Sequence, residues 1–171
     1  DKLSVIAPLL PANPLISTGL QITDSKLKPL RQVGCTGGEA ILDAGNYKFT
    51  NISMDSMIVY DRARLPIAYD VAQPCLVDMD LIFKAFCHTH RCLHIASPLH
   101  VYRKQAVSIS NGPEAANKFT RMKRILMERL EANYYDFVDS IAAKQGFKTF
   151  LQASLEAELT YATQGTSSAQ M

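Results

Sequence analysis

The amino-acid sequence predicts an α/β fold, and three observations support this prediction. Short apolar runs rich in β-branched residues occur in the first two thirds of the chain, with turn residues between them. Residues 81–86 have helical periodicity and separate two of these runs. Beyond residue 114, apolar residues recur at steps of three and four, as in amphipathic helices. A chain of 171 residues is long enough for one domain with one core.

The chain is predicted to begin with a strand. Residues 3–10 form an apolar run, which we interpret as a buried strand of about five residues ended by prolines. Residues 15–33 are mixed in character. Their cations Lys26, Lys28 and Arg31 form a small basic patch, which is either part of a solvated loop or a contact for an anionic ligand.

A glycine pair follows within the sequence CTGGE. Paired glycines allow positive φ and a close approach of the backbone to a ligand. The surrounding residues fit neither the Walker motif nor the dinucleotide fingerprint, so a plain turn and a phosphate contact are both open. Residues 39–46 are predicted to form a short helix or strand that ends in a turn at Gly45-Asn46, and residues 47–60 to be extended.

An acidic pair precedes the predicted helix at residues 81–86. Asp78 and Asp80 would lie at the N-terminal end of this helix, where carboxylates are favoured as caps and by the helix dipole. Capping is a structural role for at least one of them, and the other is left free to point elsewhere. Residues 91–96 are then predicted to form a short strand that ends before Pro98.

Cysteines and histidines cluster around this predicted helix and strand. The cluster consists of Cys87, His88, His90, Cys92 and His94. Its spacing fits no common structural zinc pattern, and a helix C-terminus that favours histidine is the simpler interpretation. The four cysteines of the chain form no CxxC pair, so we expect reduced, partly buried thiols.

The last third is predicted to be helical, starting at Pro113-Glu114. The cations of the first helix are Arg121, Lys123, Arg124 and Arg129. This basic face, within residues 118–130, is either solvated or in peripheral contact with a membrane surface. Gly146 is expected to end the helical segment, and residues 147–161 are expected to form a further helix.

The predicted organisation is therefore an α/β portion at residues 1–110, a helical extension at residues 111–161 and a disordered tail at residues 162–171. The formal net charge of +2 gives no global bias toward nucleic acid, which we do not expect as a partner. No apolar run approaches the roughly 20 residues that span a bilayer, and no basic segment typical of a signal peptide opens the chain. We expect a cytoplasmic protein, with membrane association through the basic helix as an alternative.

The order of motifs over residues 33–104 resembles the second half of a nucleotide-sugar glycosyltransferase domain of the GT-A type. The corresponding segments are VGCTGG, MIVYDRARLPIAYD, VDMDLIFKAF and RCLHIASPLHVYR. The resemblance implies a partial GT-A-like (Rossmann-like) mixed sheet flanked by helices, with a helical C-terminal region. It also implies a nucleotide-sugar donor and a sugar or glycan acceptor as partners. The nucleotide-binding half has no counterpart in this sequence, so we expect a missing N-terminal half or a homo-oligomer.

The resemblance implies an acceptor side of the site. Asp78 corresponds to the acidic residue that deprotonates the acceptor hydroxyl in inverting members of the family. A sugar hydroxyl is a weak nucleophile, so a carboxylate within hydrogen-bond reach assists its attack. Asp80, Gly37 and Gly38 are implied as acceptor-binding residues, with support of the helix start as the other role for Asp80.

The resemblance also implies groups for the leaving nucleoside diphosphate. His100 corresponds to a histidine that binds a divalent metal, Mn²⁺ or Mg²⁺. Arg103 and Lys104 are implied as diphosphate contacts, because the departing group develops negative charge that cations stabilise.

Two other functions are open on the sequence. The first is a non-catalytic α/β ligand-binding or protein-interaction domain, in which Asp78 and Asp80 are helix caps and His100 is a satisfied polar residue. The second is a peripheral membrane module that uses the basic helix at residues 118–130.

Overall fold

The computed structural model describes residues 1–50, 57–105 and 114–164. In this part of the chain a mixed sheet is flanked by helices and followed by a helical C-terminal region, so the predicted fold class is confirmed. The strands are β1 (Leu15–Thr23), β2 (Pro29–Val33), β3 (Ala40–Leu42), β4 (Ile58–Tyr60) and β5 (Cys92–Arg103). The helices are α1 (Lys2–Ile6), α2 (Tyr47–Thr50), α3 (Val77–Ala85), α4 (Ala115–Glu131) and α5 (Ser140–Gln164).

The sheet is organised around β1, which the sequence treated only as part of a mixed segment. β1 pairs in parallel with β5 on one side and antiparallel with β2 and β4 on the other, and β3 pairs antiparallel with the start of β5. Nearly all of β1 is buried on both faces, so its apolar residues do not alternate with polar ones. The lack of alternation is the reason that the sequence did not reveal this strand.

The predicted strand at residues 3–10 is wrong, because the chain begins with α1 and a 3-10 helix at Ala7–Leu9. Asp1 caps α1, since its carboxylate accepts a 3.1 Å hydrogen bond from the Leu3 N–H. Within α1 only Ile6 is buried, so the apolar run does not form a buried strand.

β5 continues through Pro98, beyond its predicted end. Pro98 lies opposite Gly19 at a shift in the register between β1 and β5, where a missing N–H is tolerated. A Cβ atom at Gly19 would lie 2.9 Å from the Ser97 carbonyl oxygen and would collide with Cys35 Sγ. The close approach of these strands therefore requires glycine at this position.

α2 replaces the first part of the segment that was predicted to be extended. Asp43 and Asn46 bond each other's backbone N–H at 3.0 and 2.9 Å, and the Tyr47 N–H donates to the Asp43 carbonyl. This local hydrogen bonding starts the helix at Tyr47, which is completely buried. Residues 51–56 of the predicted extended segment lie outside the described residues.

Gly146 lies inside α5 and does not end a helix, so that prediction is wrong. A Cβ atom at this position would lie 2.7 Å from the carbonyl carbon of Gly45. Gly146 is thus required for the contact of α5 with the turn before α2. α5 also extends to Gln164, three residues into the predicted tail, and residues 165–171 lie outside the described residues.

The largest apolar cluster packs α3 against the two C-terminal helices and the segment between them. Its aromatic centre is Phe83, whose ring centroid lies 4.2 Å from that of Phe147 and 5.3 Å from that of Tyr135. Leu15 belongs to this cluster, whereas its neighbour Ile16 belongs to a smaller cluster with α1. Adjacent strand residues face opposite sides, so the two clusters cover opposite faces of the sheet. This packing fixes the position of α3 and of its acidic first turn.

Candidate functional site

The acidic pair lies in the first turn of α3, as predicted. The N-cap position is occupied by Leu76, which has a positive φ of 55° and no side-chain cap, so neither Asp78 nor Asp80 is the N-cap. Gln73 stabilises this start by donating hydrogen bonds of 3.0 and 2.9 Å to the carbonyls of Cys75 and Leu76. A leucine in the left-handed region is strained, and such strain concentrates at functional sites.

Asp80 is completely buried, and its carboxylate binds three side chains of the protein. Oδ1 accepts hydrogen bonds from Tyr135 Oη at 2.6 Å and from Arg129 Nη1 at 3.1 Å. Oδ2 lies 2.6 Å from Lys84 Nζ one turn along α3. Burial, together with the Asp80 carboxylate, raises the pKa of the Tyr135 hydroxyl far above its ordinary value. Asp80 therefore ties α3 to α4, and any part it takes in an acceptor site is indirect.

Arg129 extends this network to a loop. Its Nη2 donates a 3.0 Å hydrogen bond to Asp70 Oδ2, and its guanidinium carbon lies 5.1 Å from the centroid of the Tyr134 ring. The hydrogen bond from Arg129 lowers the pKa of the Asp70 carboxyl. A cleft of about 350 Å³ opens between this loop and α4, lined in part by Asp70, Gln73, Arg121 and Arg129.

Asp78 differs from Asp80 in both exposure and partners. It is half-buried, and among the described residues no side-chain hydrogen bond or salt bridge engages it. Burial raises the pKa of the Asp78 carboxyl, whereas the charge of Lys48 and the backbone N–H groups of Met79 and of Asp78 itself oppose this shift. Asp78 is thus a carboxylate that stays accessible and whose affinity for a proton exceeds that of a solvated aspartate.

Lys48 is the cation whose charge lowers the pKa of Asp78, and the sequence did not indicate this role. Only 4% of this residue is exposed, and its Nζ lies 5.1 Å from the centroid of the Phe150 ring. Burial lowers the pKa of Lys48 to about 8, and Asp78 opposes the shift. A lone lysine in a short segment carries no sequence feature that marks it as buried, so it was missed.

The glycine pair lies on an exposed loop between β2 and β3. Gly37 and Gly38 have φ angles of 85° and 76°, and a Cβ atom on either would meet no atom within 4 Å. Glycine is needed there for conformation, which fits a turn, and the space above the loop is open. The structure provides no contact between these glycines and Asp78 in the described part of the chain.

The loop is anchored to the sheet by a buried hydrogen-bonded chain. His94 Nε2 lies 2.8 Å from the Gly34 carbonyl oxygen, so this nitrogen is the donor. In the neutral imidazole His94 Nδ1 then accepts, and Ser17 Oγ donates to it at 2.9 Å. Ser17 and His94 are both buried, so this pair is a structural link and not a nucleophile open to substrate. Cys92 is buried and all four cysteines are free thiols, as the sequence predicted.

His100 lies in the second half of β5, half-buried. Burial and then the nearby charge of Lys2 lower the pKa of the His100 imidazole. A cationic neighbour opposes binding of a divalent metal, and the described residues contain no group of three or more histidine, cysteine or acidic side chains that could hold one. The residues around His100 therefore do not fit the metal that the resemblance implies. The cysteine–histidine cluster likewise forms no metal-binding group in the described part of the chain.

Arg103 and Lys104 lie at the end of β5. Arg103 is opposite Thr23 of β1, and the Lys104 N–H donates a 2.8 Å hydrogen bond to the Thr23 carbonyl. Both side chains are exposed at this end of the β1–β5 pairing, as contacts for a diphosphate would need to be.

The predicted basic face of the C-terminal helix is divided in the structure. Arg121 and Arg124 are exposed on α4, but Lys123 is buried and forms a 3.0 Å salt bridge with Glu158 of α5. Arg129 is engaged in the Asp80 network described above. At 3.6 residues per turn these cations point in different directions, so a single four-cation face does not form. Within the described residues, no helix is both long and apolar enough to cross a bilayer.

No protein-family model, no curated protein and no solved structure matches this chain. The glycosyltransferase resemblance therefore depends on the motifs of residues 33–104 alone.

Proposed function

We propose that this chain is the acceptor-side part of an inverting nucleotide-sugar glycosyltransferase, with Asp78 as the general base. The contrast between two neighbouring carboxylates carries the proposal. Asp80 is buried and bound by three side chains, whereas Asp78 is partly exposed and has no side-chain hydrogen bond or salt bridge in the described part of the chain. A general base must reach a substrate proton, and of the two only Asp78 has that access.

The proposed step is a direct displacement at the anomeric carbon. The acceptor oxygen forms the new bond to this carbon while the bond to the diphosphate oxygen breaks on the opposite face. The acceptor proton passes to the Asp78 carboxylate, and the bonding electrons leave with the diphosphate. Burial raises the pKa of the Asp78 carboxyl and so strengthens it as a base, and the Lys48 cation opposes this shift.

The surroundings of Asp78 support a positioned base. Asp80 fixes the first turn of α3 to α4 through Arg129 and to the segment after α4 through Tyr135. A base held by a rigid helix keeps its geometry from one turnover to the next. Gly37 and Gly38 would offer exposed backbone groups to acceptor hydroxyls, a role that the resemblance implies.

For the leaving group, the proposal keeps the two cations that the resemblance implies but not the metal. Arg103 and Lys104 remain the proposed diphosphate contacts, since both are exposed cations. No step is assigned to a metal at His100, because its described surroundings do not fit one.

The experiment is a transfer assay with the full-length gene product that carries this chain. A panel of nucleotide-sugar donors and glycan acceptors is screened for nucleoside-diphosphate release that depends on acceptor, and the product anomer is assigned by proton NMR. The proposal predicts transfer with inversion. Retention of configuration, or release that ignores the acceptor, would contradict it.

A second candidate is a non-catalytic domain that binds a small polar ligand. The polar cleft beside Arg129 favours it, since its volume of about 350 Å³ suits a small molecule. Saturable binding of a glycan with no turnover of any donor, unchanged by Asp78→Asn and lost on Arg121→Gln, would support this candidate.

A further inference from the structure

The topology gathers five cations at one end of the sheet. Three belong to the hairpin between β1 and β2, and two follow at the end of β5. They are Lys26, Lys28, Arg31, Arg103 and Lys104, and all five are exposed. The two groups are more than 70 residues apart in sequence. We name the exposed side chains of residues 26–31 and 101–104 the hairpin-end surface.

The strand register brings these groups together. Arg31 lies opposite Ile22 of β1 on one side. Arg103 lies opposite the next residue, Thr23, on the other side, and the Lys104 N–H donates to the Thr23 carbonyl. Since neighbouring strands are about 4.8 Å apart, cations from both flanking strands lie close to the end of β1. Ile22 and Thr23 face opposite sides of the sheet, so Arg31 and Arg103 surround this end from its two faces.

The acidic residue of this hairpin is directed into its turn. Asp24 Oδ1 accepts hydrogen bonds from the backbone N–H groups of Lys26 and Lys28 at 2.8 and 2.9 Å. These bonds hold the turn and place both lysine side chains at its outer end. The turn therefore presents positive charge outward.

Large apolar side chains lie among these cations. Leu27 is 59% exposed, Leu30 54% and Val101 55%. Exposed apolar residues grouped with cations distinguish a surface that enters a membrane interface from one that is only solvated.

Leu27 adds an independent observation. It occupies the tip of the turn with a φ of 66°, a conformation that costs a non-glycine residue roughly 1 kcal/mol or more. Glycine or asparagine would adopt it more readily. The side chain is mostly exposed, so packing within the protein does not compensate for the strain. The Leu27 N–H donates a 3.1 Å hydrogen bond to the Asp24 carbonyl, so the turn itself holds this conformation and keeps the leucine at its outer end.

We propose that the hairpin-end surface docks the protein on an anionic lipid bilayer, with Leu27 entering the headgroup region and the surrounding cations binding lipid phosphates and carboxylates. The proposal shares Arg103 and Lys104 with the proposed diphosphate contacts, whereas Lys26, Leu27, Lys28 and Arg31 have no part in the proposed sugar transfer. The sequence placed the expected membrane contact on α4, but the cations of α4 are divided. The proposed contact is instead at the C-terminal end of β1, whereas β4 pairs with its N-terminal end.

A lipid surface fits these residues better than a nucleic acid or a free diphosphate. Single-stranded nucleic acids are bound through exposed aromatic rings, and the aromatic residue within this surface, Tyr102, is half-buried. A small diphosphate reaches only the cations at one strand end, Arg103 and Lys104, and so does not account for the cations and leucines of the turn. Leucines at the outermost positions suit neither ligand but suit the acyl–headgroup boundary.

Co-sedimentation of the full chain with lipid vesicles tests the proposal. The chain should bind vesicles of phosphatidylcholine and phosphatidylserine at about four to one, should not bind pure phosphatidylcholine, and should be released by salt. The double variant Lys26→Gln, Lys28→Gln should weaken vesicle binding about 25-fold, because each lysine contributes about fivefold. Leu27→Asn should weaken it about tenfold without a change of charge and should not lower the melting temperature.

Arg121→Gln with Arg124→Gln on α4 is the matched control, since it removes the same charge elsewhere, and it should leave vesicle binding unchanged. Loss of binding in this control with retention in the two hairpin variants would overturn the proposal. So would equal binding to neutral vesicles, no binding to either kind, or displacement from the vesicles by a single-stranded oligonucleotide.

Discussion

Tyr135 donates a 2.6 Å hydrogen bond to Asp80, and both groups are buried between α3 and the segment that joins the two C-terminal helices. Asp80 also binds Arg129 and Lys84, so one carboxylate connects three parts of the fold. Of the acidic pair, Asp80 therefore has a structural role, whereas Asp78 remains partly exposed.

Replacement of Asp80 by asparagine should destabilise the fold strongly. The change leaves the Arg129 and Lys84 cations without their buried counter-charge, a loss of about 3–5 kcal/mol in the free energy of unfolding. Asp78→Asn is the matched control, with an expected change below about 1 kcal/mol. Urea titration of both variants measures the difference. Equal stability of the two would show that the Asp80 network contributes little.

Gly146→Ala should also destabilise, although alanine has the higher helix propensity. A methyl group there would collide with the backbone of Gly45, and overpacking of this kind costs about 1–3 kcal/mol. Gln152→Ala, at an exposed position of the same helix, should change stability by less than about 0.5 kcal/mol. A thermal melt in which Gly146→Ala is more stable than the parent chain would rule out this helix contact.

The buried Lys48 should make stability depend on pH. Its folded-state pKa of about 8 lies below the ordinary 10.5, so between these values the unfolded chain binds more protons and rising pH favours the folded state. The stability of the parent chain relative to Lys48→Met should therefore increase from pH 8 to 10.5, by at most about 3 kcal/mol. Denaturant titrations across this range measure it, with exposed Lys118→Met as control. A constant difference would contradict the burial of a charged lysine.

Lys48 should also tune the proposed general base. Burial raises the pKa of Asp78, and the Lys48 cation opposes that shift. The acid limb of the kcat/KM profile should consequently lie above the ordinary aspartate range, and Lys48→Met should move it to higher pH. A limb that stays in place or moves to lower pH in this variant would exclude coupling between the two groups.

The four thiols should react in a defined order with a disulfide reagent. Burial raises the pKa of Cys87 to about 11 and that of Cys92 to about 12, and Cys75 is buried. Cys35 is half-buried and should be modified first under native conditions. Cys35→Ser should then remove the fast phase, as followed by absorbance. A fast phase that persists in this variant would place another thiol at the surface.

Elements with a clear hydrophobic period were predictable from the sequence. Both α3 and α4 were located because their apolar residues recur at helical steps, and the two C-terminal helices share a core with α3. β1 was missed because burial on both faces removes alternation. α1 was mistaken for a strand because a short apolar run is ambiguous and its Asp1 cap was not recognised.

The candidate site was only partly predictable. Asp78 was singled out by its position before a helix, but the burial of Asp80 depends on Arg129 and Tyr135, which are distant in sequence. Lys48 was invisible because burial of a lysine is a tertiary property. The approach of Arg31 and Arg103 to the same end of β1 likewise follows from strand pairing, which local patterns do not reveal.

The most direct test of the central claim is the rate of acceptor-dependent nucleoside-diphosphate release. This rate is measured for the full-length gene product and for its Asp78→Asn variant. Glu156→Gln, at an exposed carboxylate, is the control. The account predicts that Asp78→Asn lowers kcat by about 10²–10⁴ while the fold stays intact and the control keeps full activity. Full activity in the Asp78→Asn variant, or no acceptor-dependent release by the parent protein with any donor, would contradict it.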